Sequence, residues 1–287
     1  MIPTPGLKVT ILVDNHALTD RYFTAEPGLA ILLEGGGKKI LFDTGYSDVF
    51  LHNADRMGIT LLDLDCVVLS HGHMDHTGGL VHLAKRLTEA AIEGWPFRTP
   101  ELIAHPFCFY PRPLPTVPDV GSPIAEDRAR LHFRVRISRK PVWITDRLVF
   151  LGEIPRRFAF EDTSPGTRTI LLPDGSQTAD LLLDDSALAY LSPEGLVLVT
   201  GCSHAGICNI LEYAREVCGE RRVTDIIGGL HLLKPTAERM RGTCEYLRTV
   251  APSAIHAGHC TSFAALTELS SDCSIAELGV GLRLEYP

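Results

Sequence analysis

The chain lacks any apolar run long enough to cross a bilayer, which takes about 20 residues, and its opening, MIPTPGLKVTILVDN, has no basic stretch followed by a long apolar core. Neither a secretory leader nor a membrane anchor is expected. Its eight cysteines, Cys66, Cys108, Cys202, Cys208, Cys218, Cys244, Cys260 and Cys273, include no C-x-x-C pair and no spacing typical of a disulfide framework. Reduced, mostly buried thiols in a cytoplasmic protein are the expectation. A surplus of positive charge is missing too: 27 Lys and Arg stand against 35 Asp and Glu, for a formal net charge of −8. A general nucleic-acid binder needs a basic surface to neutralise phosphates, so that class is disfavoured, although a locally positive site is not. The expected partner is a small-molecule substrate, with no nucleic acid and no membrane.

What is present suits a globular α/β chain. With 287 residues, 45% hydrophobic and 22% charged, the chain can bury a substantial core. Its most informative stretch is residues 67–79, VVLSHGHMDHTGG. Residues 66–69 form a short, partly β-branched apolar run, long enough for a buried strand and too short for a helix. The polar cluster therefore begins where a strand ends. In a loop of this kind His71 and His73 can turn their imidazoles toward one cation, while Asp75 and His76 face a neighbouring position. Imidazole and carboxylate suit zinc, iron or manganese without selecting among them. A lone histidine would read as a solvated surface residue, but an H-x-H-x-D-H run directly behind a strand seldom arises by chance.

Elsewhere the same grammar recurs. Strands are expected at residues 8–13, 29–33 and 39–42, the last two joined by a Gly-rich hairpin turn and closed by the polar Asp43-Thr44-Gly45. A short helix over 49–57 contains Asn53, and residues 79–93 place Leu80, Leu83, Ala84, Leu87 and Ala91 at helical spacing. Residues 107–122 (FCFYPRPLPTVPDVGS) are proline-rich and read as an irregular loop, either a surface excursion or a substrate wall. The basic stretch from Arg128 to Lys140 reads as a solvated strand face, with phosphate recognition as the sharper alternative. In the final third, LVLVT runs into GCSHAG, a strand over 224–227 into GGLHLL, and one over 254–257 into GHCTS. His204, His231 and His259 are thereby placed just beyond strand ends, where rigid elements deliver ligands and loops aim them. His204 and His259 rank first as candidates to complete the shell begun by the first loop.

SHGHMDHTGG resembles the signature loop of the metallo-β-lactamase fold superfamily, whose members mostly hydrolyse esters, lactones, thioesters, amides or phosphoesters at one or two metal ions. LVDN, EGGGKKILFDTG, LSHGHMDHTGGL, GEIPR, DDSAL, VTGCSHAGICNI, IGGLHLL and HCTS follow one another in an order that resembles one subgroup. That subgroup is named for a dihydropterin ribofuranosyl-aminobenzene phosphate synthase. The resemblance implies an α/β fold, a four-layer αββα sandwich of two mixed sheets with helices outside, as a single domain over residues 1–287 with an irregular insertion around 107–180. It also implies two divalent metal ions, zinc first, with iron or manganese as alternatives. The implied ligands are His71, His73, Asp75, His76, His204 and His259. GCSHAG stands where many members have a Gly-Asp turn with a bridging aspartate, so Cys202, His204, Asp184 and Asp185 compete for that role.

The expected chemistry is hydrolysis by a metal-bound hydroxide, of a phosphorylated or an ester or lactone small molecule. Asp75 would bind and orient, and His231 would give a proton to the leaving group or hydrogen-bond a ligand histidine. One alternative is the synthase-type condensation, for which Phe107, Phe109, Tyr110 and Arg112 are candidate pocket walls. The other is a metal-binding sensor or scaffold without turnover.

Overall fold

The computed structural model describes residues 6–162 and 166–287; residues 1–5, and 163–165 within the 107–180 stretch, lie outside the described residues. From the N-terminus, β1 (Leu7–Val13) leads to a hairpin of β2 (Ala30–Gly35) and β3 (Lys38–Phe42). The hairpin turns on Gly36 and Gly37 at φ +59° and +72°, a conformation that favours glycine. There follow α1 (Val49–Arg56), β4 (Cys66–Val68), α2 (Met74–Thr77), α3 (Leu80–Glu93) and β5 (Glu101–Ala104). The middle of the chain holds α4 (Glu126–Ala129), β6 (Arg134–Ile137), β7 (Val142–Trp143), β8 (Leu148–Phe150) and the small ribbon β9 (Thr169–Leu171) with β10 (Gln177–Ala179). Next come β11 (Ala187–Ser192), β12 (Gly195–Thr200), α5 (Ile207–Cys218), β13 (Val223–Gly229) and α6 (Ala237–Val250). The chain closes with β14 (Ala254–Gly258), α7 (Phe263–Leu269), β15 (Ile275–Ala276) and β16 (Arg283–Tyr286).

These strands form two seven-stranded sheets, ordered β16-β1-β2-β3-β4-β5-β6 and β15-β14-β13-β12-β11-β8-β7. Each sheet is mixed in the same way. The first is antiparallel from β16 to β3 and parallel from β3 to β6, and the second is antiparallel from β7 to β12 and parallel from β12 to β15. Alternate residues of one strand serve two different cores. In β12, Val197 and Val199 pack with Ile11, Ile31, Phe42 and Val68 between the sheets, while Leu196 and Leu198 pack outward with Ile207, Ile210, Leu211 and Leu247. Phe50, Ala54, Leu80 and Leu83 cover the outer face of the first sheet in the same manner. Burial on both faces is why these strands read as unbroken apolar runs. The result is the expected four-layer αββα sandwich of two mixed sheets with helices outside.

One reading of the sequence changes. Residues 71–79 do not stay a loop until α3: α2 inserts one helical turn, with His73 at its N-cap in extended conformation. A single turn carries no apolar periodicity, so nothing in MDHT announces it. The basic stretch is the solvated strand face expected: Arg134 and Arg136 are exposed on β6, and Arg130, Arg136 and Arg139 form surface ion pairs with Glu126, Glu101 and Glu153. Among the described residues, no helix is long and apolar enough to cross a membrane, and all eight cysteines are free thiols.

Asn53 ties the fold to its functional end. Its side-chain amide donates to the carbonyls of Leu12 and Thr24 at 2.8 Å each and accepts from the Thr24 N–H at 3.0 Å, fixing both ends of the loop that carries Asn15. Asn53→Ala leaves three buried or half-buried backbone groups unpaired. The substitution is expected to cost about 2–4 kcal/mol, measured as a lower denaturant midpoint at unchanged slope.

Candidate metal centre

The candidate residues gather where parallel strands end, on one edge of both sheets. His71 and His73 follow β4, Asp75 and His76 ride on α2, and His204, His231 and His259 follow β12, β13 and β14. Ligand sites in open α/β sheets fall at such carboxyl ends. Ser203, His231 and His259 stand at φ +61°, +52° and +51°, left-handed conformations uncommon for residues with side chains. All six histidine rings form one chain of contacts. Centroids are 4.2 Å apart for His71–His76 and His204–His231, 4.6 Å for His71–His73, 4.8 Å for His71–His204 and His76–His259, and 4.9 Å for His73–His204.

Three sets of donor atoms lie within 4.8 Å of one another: His71, Cys202 and His204; His76, Cys202 and His259; and Cys202, His231 and Cys260. Cys202 is common to all three. Its Sγ is 3.3 Å from His76 Nε2 and 3.2 Å from His259 Nε2. The Asp75 Oδ2 flanks the second set at 3.7 Å from His76 Nε2 and 3.6 Å from His259 Nε2. His73 joins the first through its Nδ1, 3.0 Å from His71 Nε2.

Following the protons tests whether this set fits a cation. Ser70 Oγ gives its one proton to Asp43 Oδ2 at 2.6 Å, so in the 2.9 Å contact with His71 Nδ1 the imidazole must be the donor. The His71 Nε2 is left with a lone pair. His76 Nδ1 likewise donates to Asp43 Oδ2 at 2.7 Å, and His259 Nδ1 donates to Asn15 Oδ1 at 3.1 Å, an oxygen that also accepts from the Gly28 N–H at 3.3 Å. The Nε2 atoms of His76 and His259 therefore face each other across 3.1 Å, beside a sulfur, a contact that needs a positive charge between them: a proton on His76, or a cation in its place. His204 is 5% exposed and neither of its ring nitrogens has a hydrogen-bond partner. Convergent, orphaned nitrogen donors around a thiol are what a metal ion satisfies.

Electrostatics point the same way. Burial, reinforced by neighbouring imidazoles, holds His71 and His204 far below the usual histidine range, and burial with the Arg112 charge brings His73 down to about 3. These rings stay neutral and available as ligands. His76 is the exception: burial opposes its charge, but the carboxylates of Asp75 and Asp43 prevail and raise it to about 9. A site that draws in positive charge at His76 without a metal has a local excess of anionic donors. Burial pushes Asp75 up, and His76, His259 and His73 together outweigh that and keep it ionised.

The loops are braced from behind by residues read differently from sequence alone. Asp184 Oδ2 accepts from the Gly72 N–H at 2.8 Å and from Arg112 Nη2 at 2.7 Å, and Asp185 Oδ2 accepts from the Ala205 N–H at 2.8 Å. Both carboxylates therefore secure the backbone of the histidine turns, and neither enters the three donor sets. Gly72 allows this approach, because a Cβ there would lie 2.2 Å from Arg112 Nη1 and 2.4 Å from the Cys108 carbonyl. Asp43 and Asn15, which orient three of the imidazoles, were legible only as polar residues at strand ends. His231 packs on the His204 ring, and its own N–H donates to Cys260 Sγ at 3.3 Å.

A cavity of about 470 Å³ is lined by His73 and Asp75 together with Leu114, Val117 and Val120 of the proline-rich stretch and by Arg168. The aromatic wall expected at Phe107, Phe109, Tyr110 and Arg112 is therefore corrected. None of these lines the cavity, Phe109 is buried in the core, and Arg112 is buried against Asp180 and Asp184. A larger cavity, about 830 Å³, lies by Lys38 and Lys39 at the opposite end of β3 and contains none of the histidines.

An αββα sandwich with histidine and cysteine donors converging at its strand ends defines a metal-binding protein whose fold and donor clusters support a metal-dependent hydrolase. The chain belongs to the metallo-beta-lactamase superfamily, whose model matches residues 23–167. It is 31% identical over 273 residues to the 7,8-dihydropterin-6-methyl-4-(beta-D-ribofuranosyl)-aminobenzene-5'-phosphate synthase of Methanocaldococcus jannaschii, covering 91% of this chain and 89% of that protein. An uncharacterized protein of the same organism is 30% identical over 267 residues, covering 91% and 93%. Among solved structures, Tm1679, a metal-dependent hydrolase of the beta-lactamase superfamily, superposes with a TM-score of 0.80 at 26% identity over 97% of this chain and 98% of that one.

Asp43 supplies the test of the orienting hydrogen bonds. Asp43→Asn keeps the shape but cannot accept equally from Ser70 and His76, and zinc affinity is expected to fall about 10–100-fold. Competition with a chromogenic chelator reads this directly, and unchanged affinity would remove Asp43 from the account.

Proposed function

We propose that the protein is a metal-dependent hydrolase whose donors hold two divalent cations, one at His71, His73 and His204, the other at Asp75, His76 and His259, with Cys202 shared. The observation that carries this reading is the position of Cys202, whose sulfur belongs to both histidine sets. Sulfur beside imidazole favours zinc over manganese, with iron as the nearer alternative. Cations bound there would bring a water's pKa toward neutrality and polarise a substrate oxygen.

The chain's own groups supply the rest. Asp75 lines the cavity as an ionised carboxylate, suited to accept a hydrogen bond from the attacking water and orient it. To His231, whose ring packs on that of His204 at 4.2 Å, we assign the proton for a leaving group. Leu114, Val117 and Val120 exclude water from one side of the cavity. A donor set that includes a thiol, in a chain with eight free cysteines, suits a reducing compartment, so we place the protein in the cytoplasm.

A second reading rests on the 31% identity that spans 91% of the chain: a synthase-type condensation carried out at the same centre. Generic substrates separate the two. The zinc-loaded protein is expected to turn over at least one of a phosphodiester, a lactone and a thioester, with loss on chelation and recovery on adding zinc. Silence on all three by fully loaded protein would end the hydrolase reading.

Metal counting tests the shared thiol. His259→Ala is expected to retain about one zinc per chain, whereas Cys202→Ala, which disturbs both sets, retains less than that. His73→Ala abolishes turnover and lowers zinc content together. Should it retain both, the assignment of the first loop fails.

A further inference from the structure

Of the three donor sets, the one formed by Cys202, His231 and Cys260 takes no part in the two-cation reading, and Cys260 belongs to neither histidine set. Its sulfur nonetheless lies within 4.8 Å of both the Cys202 sulfur and a His231 ring nitrogen. Donors bound to one zinc-type ion stand about 3.5–3.8 Å apart, the span set by bonds of about 2.3 Å to sulfur and 2.0–2.1 Å to nitrogen at tetrahedral angles. The set comes within roughly an ångström of that spacing. The His231 Nδ1 is buried and has no hydrogen-bond partner among the described residues. Room for the Cys260 sulfur depends on Gly229, since a Cβ there would stand 2.5 Å from Sγ and 2.7 Å from the Gly201 carbonyl oxygen. In its thiol form Cys260 donates to the Cys202 carbonyl at 3.3 Å. The same sulfur accepts from the His231 N–H at 3.3 Å, a bond that a thiolate keeps when its proton gives way to a cation.

We infer that Cys202, His231 and Cys260 form a third cation site, selective for a soft ion such as zinc, cadmium or cuprous copper, whose occupancy silences the centre beside it. This rests on the proposed function only in taking Cys202 as the thiol shared by the two histidine sets. Two thiolates and one imidazole make a softer set than either histidine set, each of which offers one sulfur, so soft ions favour it and manganese or magnesium does not. Each histidine set brings four protein donors against three here, so zinc fills the pair first and a third ion binds when soft metal is in excess. Three protein donors leave a tetrahedral ion one open position. A cation held here draws on two groups that the reaction needs. It pulls the Cys202 sulfur from between the histidine sets, and a His231 imidazole bound to metal no longer delivers a proton to a leaving group.

Cadmium is the probe, added at one equivalent to the zinc-loaded full chain, and no turnover is required. X-ray absorption at the cadmium edge counts the sulfur ligands, and the third site predicts two. An ion at either histidine set has one sulfur at most, so a count of one or none overturns the inference. The ultraviolet sulfur-to-cadmium charge-transfer band gives a second readout. Cys260→Ser, which leaves both histidine sets entire, should halve its amplitude per cadmium and weaken cadmium binding by more than about tenfold, while two zinc ions are retained. Coincident titrations of the wild type and a two-zinc Cys260→Ser protein overturn the site. Should that variant fail to fold, the sulfur count in the wild type decides alone. Where a generic substrate is turned over, excess zinc should inhibit the wild type, and Cys260→Ser should need about tenfold more for the same inhibition; equal sensitivity overturns the silencing role. Two sulfurs on cadmium in a fully loaded protein that hydrolyses no generic substrate would end the hydrolase reading and leave the third site standing.

Discussion

One buried carboxylate, Asp43, sets the direction in which the first histidine loop points. Its Oδ1 accepts from the Ser70 N–H at 2.7 Å, and its Oδ2 accepts from Ser70 Oγ and His76 Nδ1 at 2.6 and 2.7 Å. A fully buried charge is costly unless its lone pairs are satisfied, and here every bond that satisfies them also fixes a donor. Ser70 passes the constraint to His71, so one anion determines the tautomer of two imidazoles on opposite sides of the loop. The backbone at Asp43 is left-handed, at φ +57°. Strain of that kind persists where the surroundings demand it, and here it brings the side chain of a strand-end residue back under the loop.

The second sheet supplies the opposing donors by repetition. β12, β13 and β14 run parallel, so their carboxyl ends emerge side by side, and each is followed by a tight turn with a left-handed residue. Cross-bonds lock these turns together: Ser203 Oγ donates to the Gly229 carbonyl at 2.6 Å, and the Gly229 N–H donates to the Gly201 carbonyl at 2.9 Å. The two halves meet through the Ser186 N–H, which donates to the Ser70 carbonyl at 2.9 Å, and through Asp184 on the Gly72 N–H at 2.8 Å. Neither sheet alone completes the sets that contain His71 and His76, because those residues follow the first sheet and Cys202 follows the second. Sheet packing and metal geometry are therefore one constraint, and a change in the layer between the sheets is felt at the centre.

Much of this was legible in the chain. Strands buried on both faces leave apolar runs, amphipathic helices leave a 3.6-residue period, and H-x-H-x-D-H keeps its meaning because its members are neighbours in sequence. What stayed hidden depends on contacts between distant residues. Asn15 orients His259 from 244 positions away, and Asp43 reaches His76 across 33. Arg112 sits among prolines, which reads as exposed loop, yet its partners Asp180 and Asp184 lie 68 and 72 residues later and draw it into the interior. The competition among Cys202, His204, Asp184 and Asp185 could not be decided from spacing, since all four flank the same strands. In space they separate: Asp184 and Asp185 each hold a backbone N–H through Oδ2, and Cys202 and His204 lie within the donor sets.

This division of labour separates chemistry from recognition. The donors stand on strand ends and on one helical turn whose backbone is held by Asp43, Asp184, Asp185 and Ser203, so a side chain exchanged in the proline-rich wall does not move them. The wall has its own foundation in the Arg112–Asp180 pair, joined to the metal loop through Asp184 and through the bond from the Met74 N–H to the Val120 carbonyl. Replacing Leu114 or Val117 would alter what the cavity accepts while leaving the imidazoles in place, whereas replacing Arg112 would disturb both at once. A fold arranged in this way can vary one wall of the cavity while its donors stay in place, and the sequence closeness of the first loop's donors is what made the metal-binding cluster, but not the cavity wall, readable from the order of the residues.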